Sequence, residues 1–93
     1  MANKLENLRK TIDNIDDSIL ELLVKRKMLS VQAGKIKRMT GKKINDNARE
    51  RQIILRLRNL ANQKGIDEKF TAGLFRVILN QSKKEQSILL AKK

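Results

Sequence analysis

Polar side chains that interrupt apolar stripes are the places where this chain could do chemistry. Arg26 breaks the run Leu5, Leu8, Ile12, Ile15, Ile19, Leu22, Leu29, Ala33 and Ile36, whose spacing alternates three and four residues. Lys37 follows eleven residues later, and eleven steps of about 100° bring it back to within about 20° of the same helix direction. Two cations on one face could clamp two anionic groups of a single ligand. Asp46 and Glu50 are four apart, with Glu50 on the apolar stripe of a second segment, and Ser82 and Gln86 are four apart on the stripe Phe75, Leu79, Ser82, Gln86, Leu89 and Leu90. Arg9 precedes Arg26 by 17 residues, which places it about 25 Å along a helix axis and turns it by about 100°. One helix cannot bring both to the same small ligand, whereas antiparallel pairing of two copies could deliver Arg9 of one chain to the other chain's site.

Each of these residues also has a plainer reading. Arg26 could snorkel to water or fix the register of a helical seam. Lys37 belongs to the basic run Lys35-Ile36-Lys37-Arg38, and Arg9 reads equally as a surface residue near a helix start. Asp46 suits a helix N-cap, and Glu50 could pair with a nearby Arg. Gln86 is either a satisfied interhelical amide or a donor aimed into a pocket. With no His and no Cys in the chain, Ser82 has no evident activator. There is no Gly-rich phosphate loop and no metal-ligand cluster in the sequence, and a metal-free protein is expected. What remains is a set of cations, a carboxylate and an amide, a kit suited to stabilising charge by preorganised electrostatics.

The elements that must position these groups are helical. The chain has 93 residues with four Gly and no Pro, Cys, Trp, Tyr or His, a composition that predicts a single all-α domain over 1–93. Asn3 and Glu6 resemble a capping box, Thr40-Gly41 reads as a stop, Asp46 and Asp67 as caps and Gly65 as a terminator. The predicted helices span about 4–39, 46–63 and 67–91, one long and two shorter. On the third, Phe70, Leu74, Phe75, Val77, Ile78 and Leu79, and further on Ile88, Leu89 and Leu90, are expected to face inward, ahead of a Lys92-Lys93 tail. The apolar run of the first helix spans about 48 Å, whereas a compact chain of this size has a diameter of roughly 30 Å. The exposed remainder of the seam calls for a partner chain, and an obligate homodimer is the expectation. The net charge of +12 from 22 basic and 10 acidic residues favours an anionic partner without choosing its size. The basic residues are scattered, and no aromatics are interleaved for base stacking. No apolar run is long enough for a membrane span and no secretory signal is visible at the N-terminus, so a cytoplasmic location is expected.

These residues resemble a known family, the all-helical (AroQ-type) chorismate mutases. The run Leu8-Arg9-Lys10-Thr11-Ile12-Asp13-Asn14-Ile15-Asp16 is similar to the family's opening signature. The spacing Arg9-x16-Arg26-x10-Lys37-x8-Asp46-x3-Glu50-x31-Ser82-x3-Gln86 carries the family's active-site residue type at every position and covers nearly the whole chain. The resemblance implies an intertwined homodimer of three-helix protomers with two shared sites, catalysing the rearrangement of chorismate to prephenate without cofactor, metal or covalent intermediate. It implies that Arg9 from one chain and Arg26 from the other bind the two carboxylates of the substrate. Lys37 would contact a carboxylate and the ether oxygen, and Gln86 would donate to that oxygen. Glu50 would hold the ring hydroxyl and help place Lys37, with Asp46 supporting that region and Ser82 near a carboxylate. The loop Thr40–Asn45 lacks a Pro expected there, and Asn45 stands where an Arg can occur, departures that concern the rim of the site. Two other readings compete: an isochorismate pyruvate-lyase sharing the fold and the cationic clamp, and a basic helical module binding nucleic acid or a partner helix. Asp46 and Glu50 favour the mutase over the first. The second leaves the polar residues on the stripes without a common purpose.

Overall fold

The computed structural model describes residues 3–91, with side chains described for residues 3–87. Three helices follow one another as α1 (Asn3–Thr40), α2 (Asn47–Lys64) and α3 (Glu68–Ala91), and no strand occurs among the described residues. Their ends follow local chemistry. Asp46 caps α2, its side chain accepting from the Arg49 backbone N–H at 3.0 Å. Gly65 closes the same helix in a left-handed conformation with φ of 76°, which a residue without Cβ adopts at no steric cost. Asp67 starts α3 by accepting from the N–H groups of Lys69 at 2.8 Å and Phe70 at 3.2 Å.

α3 packs against both other helices, whereas the α1 and α2 backbones do not approach each other closely. The molecule measures 60 × 29 × 14 Å, and the smallest extent is little more than the width of one helix, about 10–12 Å. A single layer of helices has two faces and can bury little. Only Ala61, Ala72 and Leu79 are buried among the described apolar residues, and the radius of gyration is 17.1 Å, against about 12 Å for a compact chain of this length.

The expectation that all of the apolar residues of α3 face inward needs correction. Leu79 is buried and Phe75 and Ile78 are half-buried, but Phe70, Leu74 and Val77 are exposed on the single chain. Their stripe is wider than the contact that α1 and α2 offer, and a second layer of structure is needed to cover it. The inward-facing side chains expected at Ile88, Leu89 and Leu90 lie outside the residues whose side chains are described. On α1, Leu5, Leu8, Ile12, Ile15, Ile19, Leu22, Leu29 and Ile36 are all exposed, from 52% at Ile19 to 64% at Leu29.

One glycine decides how closely α1 and α3 approach. Gly34 is buried mid-helix, and a Cβ there would lie 3.0 Å from Cγ, 3.1 Å from Cβ and 3.2 Å from Cα of Gln86. Glycine in a helix interior costs about 1 kcal/mol relative to alanine. Here it lets the Gln86 backbone sit against α1.

Candidate active site

Where α1 and α2 are held apart by α3, a cavity of about 370 Å³ opens between all three helices. Arg26, Lys37, Asp46, Glu50, Ser82 and Gln86, singled out from spacing, all line it, together with Leu29, Ser30, Ala33, Ile44, Arg49, Ile53, Leu79 and Lys83. Arg9 does not. It sits on the exposed N-terminal half of α1, about 25 Å along the helix from Arg26.

A hydrogen-bonded chain runs across the cavity floor. Arg26 donates through one terminal nitrogen to the Ser82 hydroxyl, and that hydroxyl donates its own proton to the Ile78 carbonyl at 3.2 Å. With its proton committed, Ser82 serves as an acceptor that steadies Arg26. Ser30 donates to the Ser82 carbonyl at 3.3 Å and so accepts, through the same oxygen, from Nε2 of Gln86 at 3.2 Å. Lys37 can only donate, and its Nζ reaches Oε1 of Gln86 at 2.9 Å and the Ile44 carbonyl at 3.1 Å. These neighbours fix the orientation of the Gln86 amide, with its oxygen toward Lys37 and its nitrogen toward Ser30. One of the three N–H groups of Lys37 and one of the two on Gln86 Nε2 remain for a ligand.

One expectation about the carboxylates changes, and one holds. Glu50 was expected to pair with an Arg or to help place Lys37. Instead its two oxygens lie 3.2 and 3.5 Å from Nζ of Lys83, and Lys37 is held by Gln86 and Ile44. Lys83 faces Glu50 across the α2–α3 packing, whereas the α1 and α2 backbones do not approach each other closely and Lys37 finds its acceptors nearer by, on Gln86 and Ile44. Asp46 is exposed and spends one oxygen on capping α2 at the cavity edge.

Among the described residues neither Arg26 nor Lys37 has a carboxylate partner. Four cations line the cavity (Arg26, Lys37, Arg49 and Lys83) against two carboxylates (Asp46 and Glu50), a surplus of two positive charges before any second chain contributes. Sequence reasoning missed Ser30, Arg49 and Lys83. Ser30 was open to detection, since it stands four residues after Arg26 on the same face. Lys83 was not, being the first of the pair Lys83-Lys84 in a chain rich in solvated lysines. No group of His, Cys, Asp and Glu side chains that could hold a metal ion occurs among the described residues, and none of its helices is long and apolar enough to cross a membrane.

The fold and cavity together define an all-helical protein that gathers uncompensated cations and fixed amide and hydroxyl groups around a space fit for a small polyanion. Residues 8–87 match the family model for chorismate mutase type II, and the chain belongs to that family. It is 36% identical over 83 residues to a chorismate mutase of Methanocaldococcus jannaschii, covering 89% of this chain and 84% of that protein. It is 34% identical over 88 residues to a bifunctional chorismate mutase/prephenate dehydratase of Escherichia coli, covering 95% of this chain but only 23% of that longer protein. A bifunctional relative of the same description from Buchnera aphidicola is 33% identical over 90 residues, again covering 23% of its length.

Proposed function

We propose that this chain catalyses the rearrangement of chorismate to prephenate in the biosynthesis of phenylalanine and tyrosine, at a cavity built by the three helices and completed by a second copy of the chain. The observation that carries this reading is the meeting of Arg26 and Lys37, without carboxylate partners, beside the oriented Gln86 amide in one cavity. Chorismate is a dianion, and the cavity offers it positive charge that its own carboxylates do not cancel.

The reaction breaks a carbon–oxygen bond and forms a carbon–carbon bond within one molecule. It needs no nucleophile and no proton transfer, and negative charge grows on the ether oxygen as the C–O bond lengthens. Arg26 binds one carboxylate, held ready by Ser82. Lys37 and Gln86 each retain one N–H for the ether oxygen. Because Ile44, Ser30 and each other already hold these donors, little reorganisation is needed when charge develops, which is how preorganised donors lower a barrier. Glu50 accepts the ring hydroxyl from the α2 wall, and Asp46 supports that wall through the α2 cap. Confinement between α1 and α2 favours the compact conformer in which the reacting carbons meet.

The second carboxylate is assigned to the partner's Arg9. The exposed seam from Leu5 to Ile36 supports a two-fold dimer, because burying the half-exposed Leu and Ile side chains would contribute roughly 1 kcal/mol each, about half the value of a full burial. In such a dimer the N-terminal half of the partner's α1 lies over the cavity. The proposal places the reaction in the cytoplasm and assigns nucleic acid and membranes no part in it.

Incubation of the protein with chorismate, following its disappearance and the appearance of prephenate, tests the assignment. Turnover is the expected result. No turnover at any protein concentration sinks the proposal, and pyruvate with salicylate from isochorismate would move the assignment to a lyase.

A further inference from the structure

Lys83 is the one cation at the cavity placed on a carboxylate. It stands on α3 at the wall between the cavity and a second groove, on the outer side of the α2–α3 pair, which Glu50 also borders. Arg51, Arg58 and Arg76 also border that outer groove, as Glu50 and Lys83 themselves do. Among the described residues Lys83 is the side chain hydrogen-bonded and ion-paired to Glu50. Which way Glu50 faces is therefore decided by the cation that holds it.

We propose that Lys83 is a positioning residue for the substrate's ring hydroxyl. Its ammonium lies across the fork of the Glu50 carboxylate, 3.2 Å from one oxygen and 3.5 Å from the other, and so limits the rotation of the carboxylate. A carboxylate has about four lone-pair directions and an ammonium so placed occupies at most two. The others remain for a hydroxyl donor in the cavity. The pair is partly shielded, with 34% of the Lys83 and 24% of the Glu50 side chain exposed, so it is screened less than a surface pair. The inference rests on Glu50 receiving that hydroxyl. Lys83 acts through Glu50 and not on the reacting atoms, so it governs how tightly the substrate is held in ground and transition state alike, which appears in KM and not in kcat.

The test is a double-mutant cycle in the full-length protein with chorismate. Lys83→Met should raise KM about tenfold, the scale of a hydrogen bond to a charged group that is weakened and not abolished, with kcat within about twofold of wild type. Lys83→Arg should restore KM. In a Glu50→Gln background Lys83→Met should have no further effect, and the affinity for a substrate analogue lacking the ring hydroxyl should be the same for wild type and Lys83→Met. Additive effects in the cycle, an equal loss for the analogue, or a fall in kcat at constant KM would overturn the role. If Lys83→Met fails to fold, as judged by circular dichroism, Lys83→Gln carries the same comparisons. Absence of turnover by the wild type would instead overturn the functional assignment, and this inference with it. Turnover by the wild type combined with an additive cycle would overturn the inference alone.

Discussion

Two inactive variants of this protein should restore activity to each other. Arg9 and Arg26 both lie on α1, a continuous helix from Asn3 to Thr40, and are about 25 Å apart along its axis. No rotamer change brings them to one small ligand, so a site that uses both must draw them from different chains. In the proposed dimer Arg9→Ala or Arg26→Ala alone removes a charged donor from both sites and should cost about 3–4 kcal/mol of transition-state stabilisation, leaving below about 1% of wild-type kcat/KM. When the two are unfolded, mixed in equal amounts and refolded, random pairing makes about half of the dimers heterodimers. In each heterodimer one site keeps both arginines and the other has neither, so about a quarter of all sites are intact and kcat per chain should recover to about 25% of wild type. KM for the recovered activity should equal the wild-type value, because the active sites are unmodified. The loss of chorismate absorbance gives the rates, and native mass spectrometry of chains carrying different tags gives the heterodimer fraction. Abundant heterodimers with no more activity than the separate variants would refute a shared site, as would a fully active Arg9→Ala protein.

Under the proposed mechanism Gln86→Leu removes a donor to the ether oxygen and should lower kcat by about 10²–10³. It should also cost about 1–3 kcal/mol in chemical denaturation, because Lys37 and Ser30 lose a buried partner; an unchanged kcat would remove Gln86 from the reaction. Gly34→Ala sets a helix-propensity gain of about 1 kcal/mol against the 3.0–3.2 Å approach to Gln86. Thermal unfolding should therefore shift little while kcat falls about tenfold, as the side chain or α3 yields by tenths of an ångström; full activity would mean the amide position is not critical. Ile15→Asp places a charge in the middle of the exposed α1 seam and should leave monomers in sedimentation experiments, with activity lost at low protein concentration. A dimer that survives this change would exclude that seam as the interface.

Much of this molecule is legible without a structure because helical order is local. A three-and-four spacing of apolar residues, Asp46 and Asp67 ahead of the second and third runs and Gly41 and Gly65 after the first and second are enough to place three helices. The length of the first seam already shows that one chain cannot cover it, and the 60 × 29 × 14 Å shape bears out that mismatch. Arg26, Glu50 and Gln86 stood out because each is polar where periodicity calls for an apolar side chain, and Lys37 because eleven residues return it to the direction of Arg26. Tertiary structure decided which atoms meet. The chemistry of a polar group depends on partners within about 3 Å, and periodicity fixes only a face. That Glu50 is held by Lys83 and not by Lys37 follows from α3 lying between α1 and α2. That Ser82 steadies Arg26, and that Ser30 and Lys37 together orient the Gln86 amide, depends on the close helix approach that Gly34 permits. Phe70 and Val77 read as core from their pattern yet remain exposed, because pattern marks a face that must be buried and only the arrangement of helices determines what is there to bury it.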